Sequence, residues 1–386
     1  MPIVNRIAEF HNDMTAWRHH LHAHPETAFE EVKTANFVAE KLQSFGIEIS
    51  RGLAKTGVVG TLSTGDGPTL GLRADMDALN LTEINDFDYK STIDGKMHGC
   101  GHDGHTTMLL GAARYLAETK NFKGTIHFIF QPAEENEAGG GLMVEEGLFE
   151  QFPCDSIYGM HNMPGLPVGQ FAIKPGPTMA SADIFEITIT GKGAHGAMPH
   201  MGIDPIVIGS QIVTALQAII GRNVHPLLPG VVSVTQFTSG DTFNVIPEVA
   251  LLRGTTRAFH AEVQDFMEAR IQQTAEAICA MHGASMEWRY ERRYPTTVNH
   301  PAETEIAAAA AVELVGTDNV GRDPQSTMGA EDFSFMMNKV PGAYMWIGNG
   351  PSDGGRNLHN PAYDFNDEVL PYGASLFATL AQTILK

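Results

Sequence analysis

The chain has 386 residues, 43% of them hydrophobic, and a formal net charge of −20. That length exceeds one ordinary core and predicts more than one domain. The apolar share, with glycine and proline following no period, excludes fibrous and disordered classes, and the acidity excludes a sequence-independent nucleic-acid binder, whose footprint is basic.

The first residues place Ile3, Ile7, Phe10 and Met14 at helical spacing with polar residues between them. No continuous apolar segment of a secretory signal is expected there. Residues 34–45 predict an amphipathic helix stopped by Gly46. Residues 58–62 and 69–73 are short apolar runs bounded by glycine, hence strands. Residues 106–116 predict a helix with Met108, Leu109, Ala112, Ala113 and Leu116 on one side. The run 125–130 is nearly all apolar and suits a strand buried on both faces, and 156–160 is another short strand. Strands alternating with helices predict an α/β layer fold with a mixed sheet flanked by helices.

The texture changes near Ala180. Phe185, Ile187 and Ile189 alternate with Glu186, Thr188 and Thr190, a strand with one solvated face. Asp204-Pro205 opens a helix to about residue 220, with Asp at the N-cap and Pro at the first helical position. Strands at 231–237 and 249–256, a helix at 261–281 and a strand at 285–290 complete a βαββαβ order, the ferredoxin-like plan. Residues 181–292 are therefore expected to form an inserted domain, with 1–180 and 293–386 as one discontinuous main domain. The tail returns to the first texture with a helix at 303–315, a strand at 343–347 and a last helix from Pro371. No apolar run reaches the roughly 18 residues of a membrane span, so no membrane is expected. Cys100, Cys154 and Cys279 are too few, and odd in number, for a disulfide framework. A reducing compartment, the cytoplasm, is expected.

The chemistry-bearing residues follow the predicted strands. Asp75 and Asp77 come after 69–73, Glu134 and Glu135 after 125–130, His161 after 156–160, and His359 in the loop after 343–347. The segment Met97-His98-Gly99-Cys100-Gly101-His102-Asp103-Gly104-His105 packs a thiol, three imidazoles and a carboxylate among three glycines. In open α/β sheets ligands collect outside the carboxyl ends of the strands. If these strands run parallel, one crevice receives every piece, and a set of this kind suits two metal ions. His19, His20, His22 and His24 also look like a metal cluster. They are better read as structural or as lining the edge of a cleft.

Five segments carry a resemblance: Leu72-Arg73-Ala74-Asp75-Met76-Asp77-Ala78-Leu79, the 98–105 stretch, Gln131-Pro132-Ala133-Glu134-Glu135, Gly193-Ala194-His195-Gly196-Ala197-Met198-Pro199, and Asn244-Val245-Ile246-Pro247. In order and spacing they resemble the dinuclear-metal aminoacylase and carboxypeptidase superfamily, in the amidohydrolase branch that includes hippurate hydrolases and plant auxin-conjugate hydrolases. The resemblance implies hydrolysis of N-acyl amino acids, with two divalent ions (zinc, manganese, cobalt or nickel) bound by Cys100, His102, Glu135, His161 and His359. It implies Glu134 as general base and Asp77 as the carboxylate steadying a ligand imidazole. The inserted domain becomes a lid and dimerisation domain, so a homodimer or higher homo-oligomer is expected. His195 would stabilise the oxyanion, Asn244 and Arg257 would hold the substrate, and Glu331, in Met328-Gly329-Ala330-Glu331-Asp332-Phe333, would stand near the cleft. A dipeptidase or aminoacyl carboxypeptidase could use the same machinery. A non-catalytic metal- and ligand-binding homologue is a rival of another class, against which the presence of Glu134 counts.

Overall fold

A computed structural model describes residues 3–386, apart from the side chain of Asn136 and the exposure of Gly355. In chain order the elements that matter are α1 (His11–Ala23), α2 (Val32–Ser44), β1 (Glu48–Arg51), β2 (Val58–Ser63), β3 (Thr69–Asp75), α3 (His102–Thr119), β4 (Thr125–Gln131), β5 (Ser156–Met163) and β6 (Phe171–Ala172). Next come β7 (Ala182–Thr190), α4 (Pro205–Ala218), β8 (Gly230–Ser239), β9 (Val249–Ala258), α5 (Ala261–Met281) and β10 (Ser285–Tyr294). The chain closes with α6 (Pro301–Val315), β11 (Val320–Gly321), β12 (Gly342–Gly348) and α7 (Leu370–Ile384).

Contacts divide the chain into two units. The larger holds residues up to Gly176, Val298–Gln325 and Asp332–Lys386; the smaller holds Pro177–Thr297 and Ser326–Glu331. A short stretch, Ser326–Glu331, returns to the smaller unit because Thr327 donates its N–H to Thr178 O at 3.0 Å. Glu331 is buried at the end of that stretch, where its carbonyl accepts from the Thr297 hydroxyl.

The larger unit is an eight-stranded sheet in the order β1-β2-β4-β3-β5-β12-β6-β11. β4, β3, β5 and β12 are parallel neighbours, while β1, β2 and the β12–β6 pair add antiparallel edges. Near-continuous apolar strands such as β4, buried from Ile126 to Gln131, are what a sheet covered on both faces requires. Helix α3 packs on β3, α1 and α7, with Met108, Leu109, Ala112, Ala113 and Leu116 all buried. The predicted 106–116 helix begins earlier, at His102. Gly101, at φ 93°, sits just before it, and a left-handed glycine is no start signal that hydrophobic period could reveal.

The smaller unit is a four-stranded antiparallel sheet in the order β8-β9-β7-β10, with α4 and α5 as its helices. Asp204 caps α4, accepting from the N–H groups of Ile206 (2.8 Å) and Val207 (3.4 Å). Ile187, Ile189, Ile208, Ile212, Leu216, Leu252, Met267 and Ile271 form its core. The stretch Pro205–Asn223 is long and apolar enough, by length and composition, to cross a bilayer. A count of unbroken apolar runs missed it because Ser210, Gln211, Thr214 and Gln217 interrupt it; Ile208, Ile212 and Leu216 are buried in the unit's core.

Candidate metal centre

Because β3, β4, β5 and β12 are parallel, their carboxyl ends open on one sheet edge. β3 ends at Asp75 and leads to Asp77. β4 ends at Gln131, and Ala133, held left-handed at φ 55°, turns the chain into a short helix, Glu134–Glu137. Both glutamates therefore open a helix rather than sit in a loop. His161 lies within β5, and His359, in the loop beyond β12, is itself left-handed at φ 60°. Left-handed backbone costs a non-glycine residue roughly 1–2 kcal/mol. Two such residues at the mouths of strands mark places where aiming a side chain outweighs local comfort.

The donor atoms converge. Cys100 Sγ lies 3.3 Å from His161 Nε2, and Glu135 Oε1 lies 3.0 Å from His359 Nε2. Among the groups whose ligand atoms lie within 4.8 Å of one another are Cys100, His102 and His161; Cys100, Glu135 and His359; and His102, Glu134 and Glu135. Cys100, His102 and Glu135 each belong to two of these three. Asp77 ties the set together: its Oδ1 lies 3.2 Å from His102 Nδ1, and its Oδ2 accepts the Glu135 N–H at 2.9 Å. With Nδ1 engaged, His102 Nε2 remains, buried and, among the described residues, without a hydrogen-bond partner. An unbonded buried nitrogen is costly unless something coordinates it.

The electrostatics agree. Burial, together with Glu135, Glu134 and Asp75, pushes the Cys100 thiol well above its usual range. Burial opposes a charge on His102, yet Asp75, Asp77 and Glu135 lift it to about 10. Burial and the neighbouring His105 hold His161 well below its usual value, as a neutral ring. A pocket with surplus carboxylate, a thiol that will not ionise alone, a His102 ring that draws in a positive charge and a neutral His161 ring fits a cation. Thiolate, imidazole and carboxylate donors suit a borderline transition metal.

Sequence patterning missed several buried groups that hold this pocket. Arg73, inside β3, donates from Nη1 to Asp75 Oδ2 (2.8 Å), from Nη2 to Asp332 Oδ1 (3.0 Å) and from Nε to Gln131 Oε1 (2.8 Å). Its signal was a cation within an otherwise apolar strand, which burial permits only when paired. Glu31, just before α2, accepts the Ala133 N–H at 2.9 Å and the Thr56 hydroxyl at 2.7 Å. Burial, helped by Asp77, pushes Glu31 up to about 7. Nothing in the local pattern of residues 29–31 announces a partner a hundred positions away. The N-terminal histidines are structural: His19 Nε2 lies 2.8 Å from Asp367 Oδ2, His22 Nδ1 lies 2.8 Å from Asp103 Oδ2, and His24 Nδ1 bonds His20 O at 2.7 Å.

On the smaller unit, His195 and Asn244 come together and Arg257 does not join them. A short ladder pairs Val245 with His195 and Ile246 with Ala194, and Gly196 donates to Asn244 O at 2.8 Å. Both side chains are exposed. The ladder continues the β7–β9 pairing beyond Thr190 and Val249. Arg257 lies eight residues past Val249, near the other end of β9; at ~3.3 Å per residue that is about 26 Å away. Its half-buried guanidinium bonds the Thr255 hydroxyl and, at 2.8 Å, Thr256 O.

A mixed α/β sheet that gathers thiol, imidazole and carboxylate donors at the ends of its parallel strands is the build of a metal-dependent hydrolase. Residues 71–383 match the profile of Peptidase family M20/M25/M40, and the chain belongs to that family of hydrolases. It is 40% identical over 387 residues to the hippurate hydrolase of Campylobacter jejuni, covering 100% of both chains. It is 38% identical to the N-acetylcysteine deacetylase of Bacillus subtilis, covering 98% of each. Among solved structures, the YXEP protein of Bacillus subtilis, described as a dinuclear metal binding peptidase from the M20 family, superposes with a TM-score of 0.86 at 36% identity, covering 98% of this chain and 99% of that one.

Proposed function

We propose that this chain hydrolyses the amide bond of N-acyl amino acids, of N-benzoyl or N-acetyl type, to a carboxylic acid and an amino acid. The observation that carries the reading is the pair of donor triads sharing Cys100, with Glu134 in a third triad beside them. Cys100, His102, Glu135, His161 and His359 would hold two divalent ions. When bound, the ions supply Lewis acidity toward the amide carbonyl and acidify the attacking water. Glu134 takes the proton of that water as its oxygen attacks the carbonyl carbon. It then returns a proton to the nitrogen as the C–N bond breaks, so the amine leaves neutral. Asp77 keeps His102 in the tautomer that presents Nε2.

The smaller unit is read as a ferredoxin-like lid that also dimerises. A carboxylate-bearing substrate needs a cation, and the planar fork of Arg257 matches both oxygens. An oxyanion donor at His195, with Asn244 beside it, lies a strand's length from Arg257, too far for both to meet one small molecule from the same unit. His195 and Asn244 are therefore assigned to the site of a partner copy in a homodimer. Glu331 is kept as a group near the cleft.

The test is a panel of N-acyl amino acids, with dipeptides as controls, on metal-free protein reloaded separately with zinc, manganese, cobalt or nickel. Release of an amino acid from N-benzoyl or N-acetyl substrates is expected. Cleavage of dipeptides alone would move the assignment to a dipeptidase, and binding without cleavage to a non-catalytic homologue.

A further inference from the structure

His105 lies three residues beyond His102 on α3, fully buried, and the reaction as proposed gives it no task. Its surroundings specify one. Asp75 Oδ1 lies 2.7 Å from Nδ1, and a carboxylate accepts, so Nδ1 carries the proton. Nε2 is then an acceptor, and it receives the Asn162 N–H at 3.0 Å with the Asn162 side-chain amide at 3.1 Å.

Asn162 in turn touches both loops of the donor cluster. Its carbonyl accepts from His161 Nδ1 at 2.7 Å, which leaves His161 Nε2 to face Cys100 Sγ. Its side-chain amide also donates to Cys100 O at 2.7 Å, and its side-chain oxygen accepts from the Tyr363 hydroxyl at 2.8 Å. Gly101 makes this approach possible, since a Cβ there would run into Asn162 Nδ2 and Tyr363 Oη. A chain of bonds thus runs from Arg73 through Asp75, His105 and Asn162 to His161 and the backbone of Cys100. Every link fixes the direction of the next.

We infer that His105 and Asn162 are positioning residues that set the tautomer of His161 and the placement of Cys100, so that both donors are formed before an ion arrives. This rests on the reading of Cys100 and His161 as ligands. Partners one bond behind a metal ligand typically govern 10–100-fold in metal affinity. The inference makes a directional claim: the bond to Asn162 matters, beyond the neutralisation of Asp75.

Two substitutions separate these. In ordinary geometry a glutamine oxygen replaces Nε2 and can accept from Asn162, whereas an asparagine amide replaces Nδ1 and can donate only to Asp75. Cobalt titration of metal-free protein, followed by the thiolate-to-cobalt charge-transfer band, reads affinity and Cys100 geometry without turnover. His105→Ala, His105→Asn and Asn162→Ser are expected to weaken cobalt binding roughly 10–100-fold and shift the band, with His105→Gln close to wild type. If His105→Ala does not fold, the Gln and Asn variants still decide. Unchanged affinity and band in the variants, with only the melting temperature lowered, would overturn the inference. So would rescue by Asn and not by Gln. Wild type that binds cobalt without a thiolate band would overturn the functional reading itself, and this inference with it.

Discussion

The strand-end pocket of the larger unit and the His195–Asn244 ladder of the smaller one are both built from short motifs, yet they obey opposite rules. In the pocket Cys100, His102, Glu134 and His161 are buried, and further buried groups hold the site: Asp77 holds His102, Asn162 holds His161, and Glu31 holds the Ala133 turn that leads to Glu134. On the ladder, His195 and Asn244 are exposed, and backbone pairing and bonds to near neighbours in sequence hold them: His195 Nδ1 accepts the Ala197 N–H at 3.0 Å and Asn244 Oδ1 accepts the Thr242 hydroxyl at 3.3 Å. The difference teaches that the first set of side chains is held by its own unit, whereas the second is displayed, as the proposed service to a partner's site would require.

The sharpest way to break this contrast is to disable the two regions on different chains. Glu134→Gln should lower turnover by roughly 10²–10⁴-fold while metal content stays at the wild-type level. His195→Ala should also be nearly inactive. If the ladder serves a partner's pocket, co-expressing the two variants restores one working site in each mixed dimer, about a quarter of wild-type sites for random pairing of two-fold dimers. Steady activity near zero in the mixture would place both regions in service of one chain's own site. Activity in fully metal-loaded Glu134→Gln would remove the base assignment.

Arg257 tests the smaller unit from its other end. Losing a charge-assisted contact of about 1.5–3 kcal/mol should raise KM for N-acyl amino acids by one to two orders of magnitude in Arg257→Ala. The corresponding esters and amides should be little affected. Equal effects on acids and esters would mean that Arg257 supports the sheet and does not read the substrate.

The smallest effect expected is on stability, at Glu31. Its folded pKa lies above the ordinary carboxyl value, at about 7, so its contribution is full at pH values below the unfolded pKa and is lost as pH rises through about 7. Glu31→Gln keeps an oxygen for the Ala133 N–H and cannot ionise. The melting temperature of the variant relative to wild type should therefore climb by a few degrees between pH 5 and pH 8. A constant offset across that range would show that Glu31 titrates as an ordinary surface acid.

How much was legible in the sequence follows from the range of the forces involved. The strands carrying Asp75, Glu134 and His161 are compact apolar runs bounded by breakers, so both the strands and the residues at their ends could be read locally. The parallel order that brings them to one edge depends on crossovers, and only the alternation of helix and strand hinted at it. The hydrogen-bonded supports were not legible. Arg73 with Asp332, Glu31 with Ala133, and His105 with Asn162 join positions separated by 57 to 259 residues, and no local period encodes such a bond. The start of α3 at His102 escaped because a glycine in the left-handed region, not a capping hydroxyl or carboxylate, precedes it. The separation of His195 from Arg257 was hidden for a different reason: motifs give spacing along the chain, whereas the length of β9 sets the distance.

One ligand candidate differs from the others. Cys100, His102 and His161 are shut away, but the His359 side chain is 55% exposed while its neighbour Glu135 is 11% exposed. Ions held at the two ends of such a cluster would trade with solution at unequal speeds. With His359 as a ligand, the end it closes would be the door: it would empty first under a chelator and set the pace at which a wrong metal is replaced by the right one.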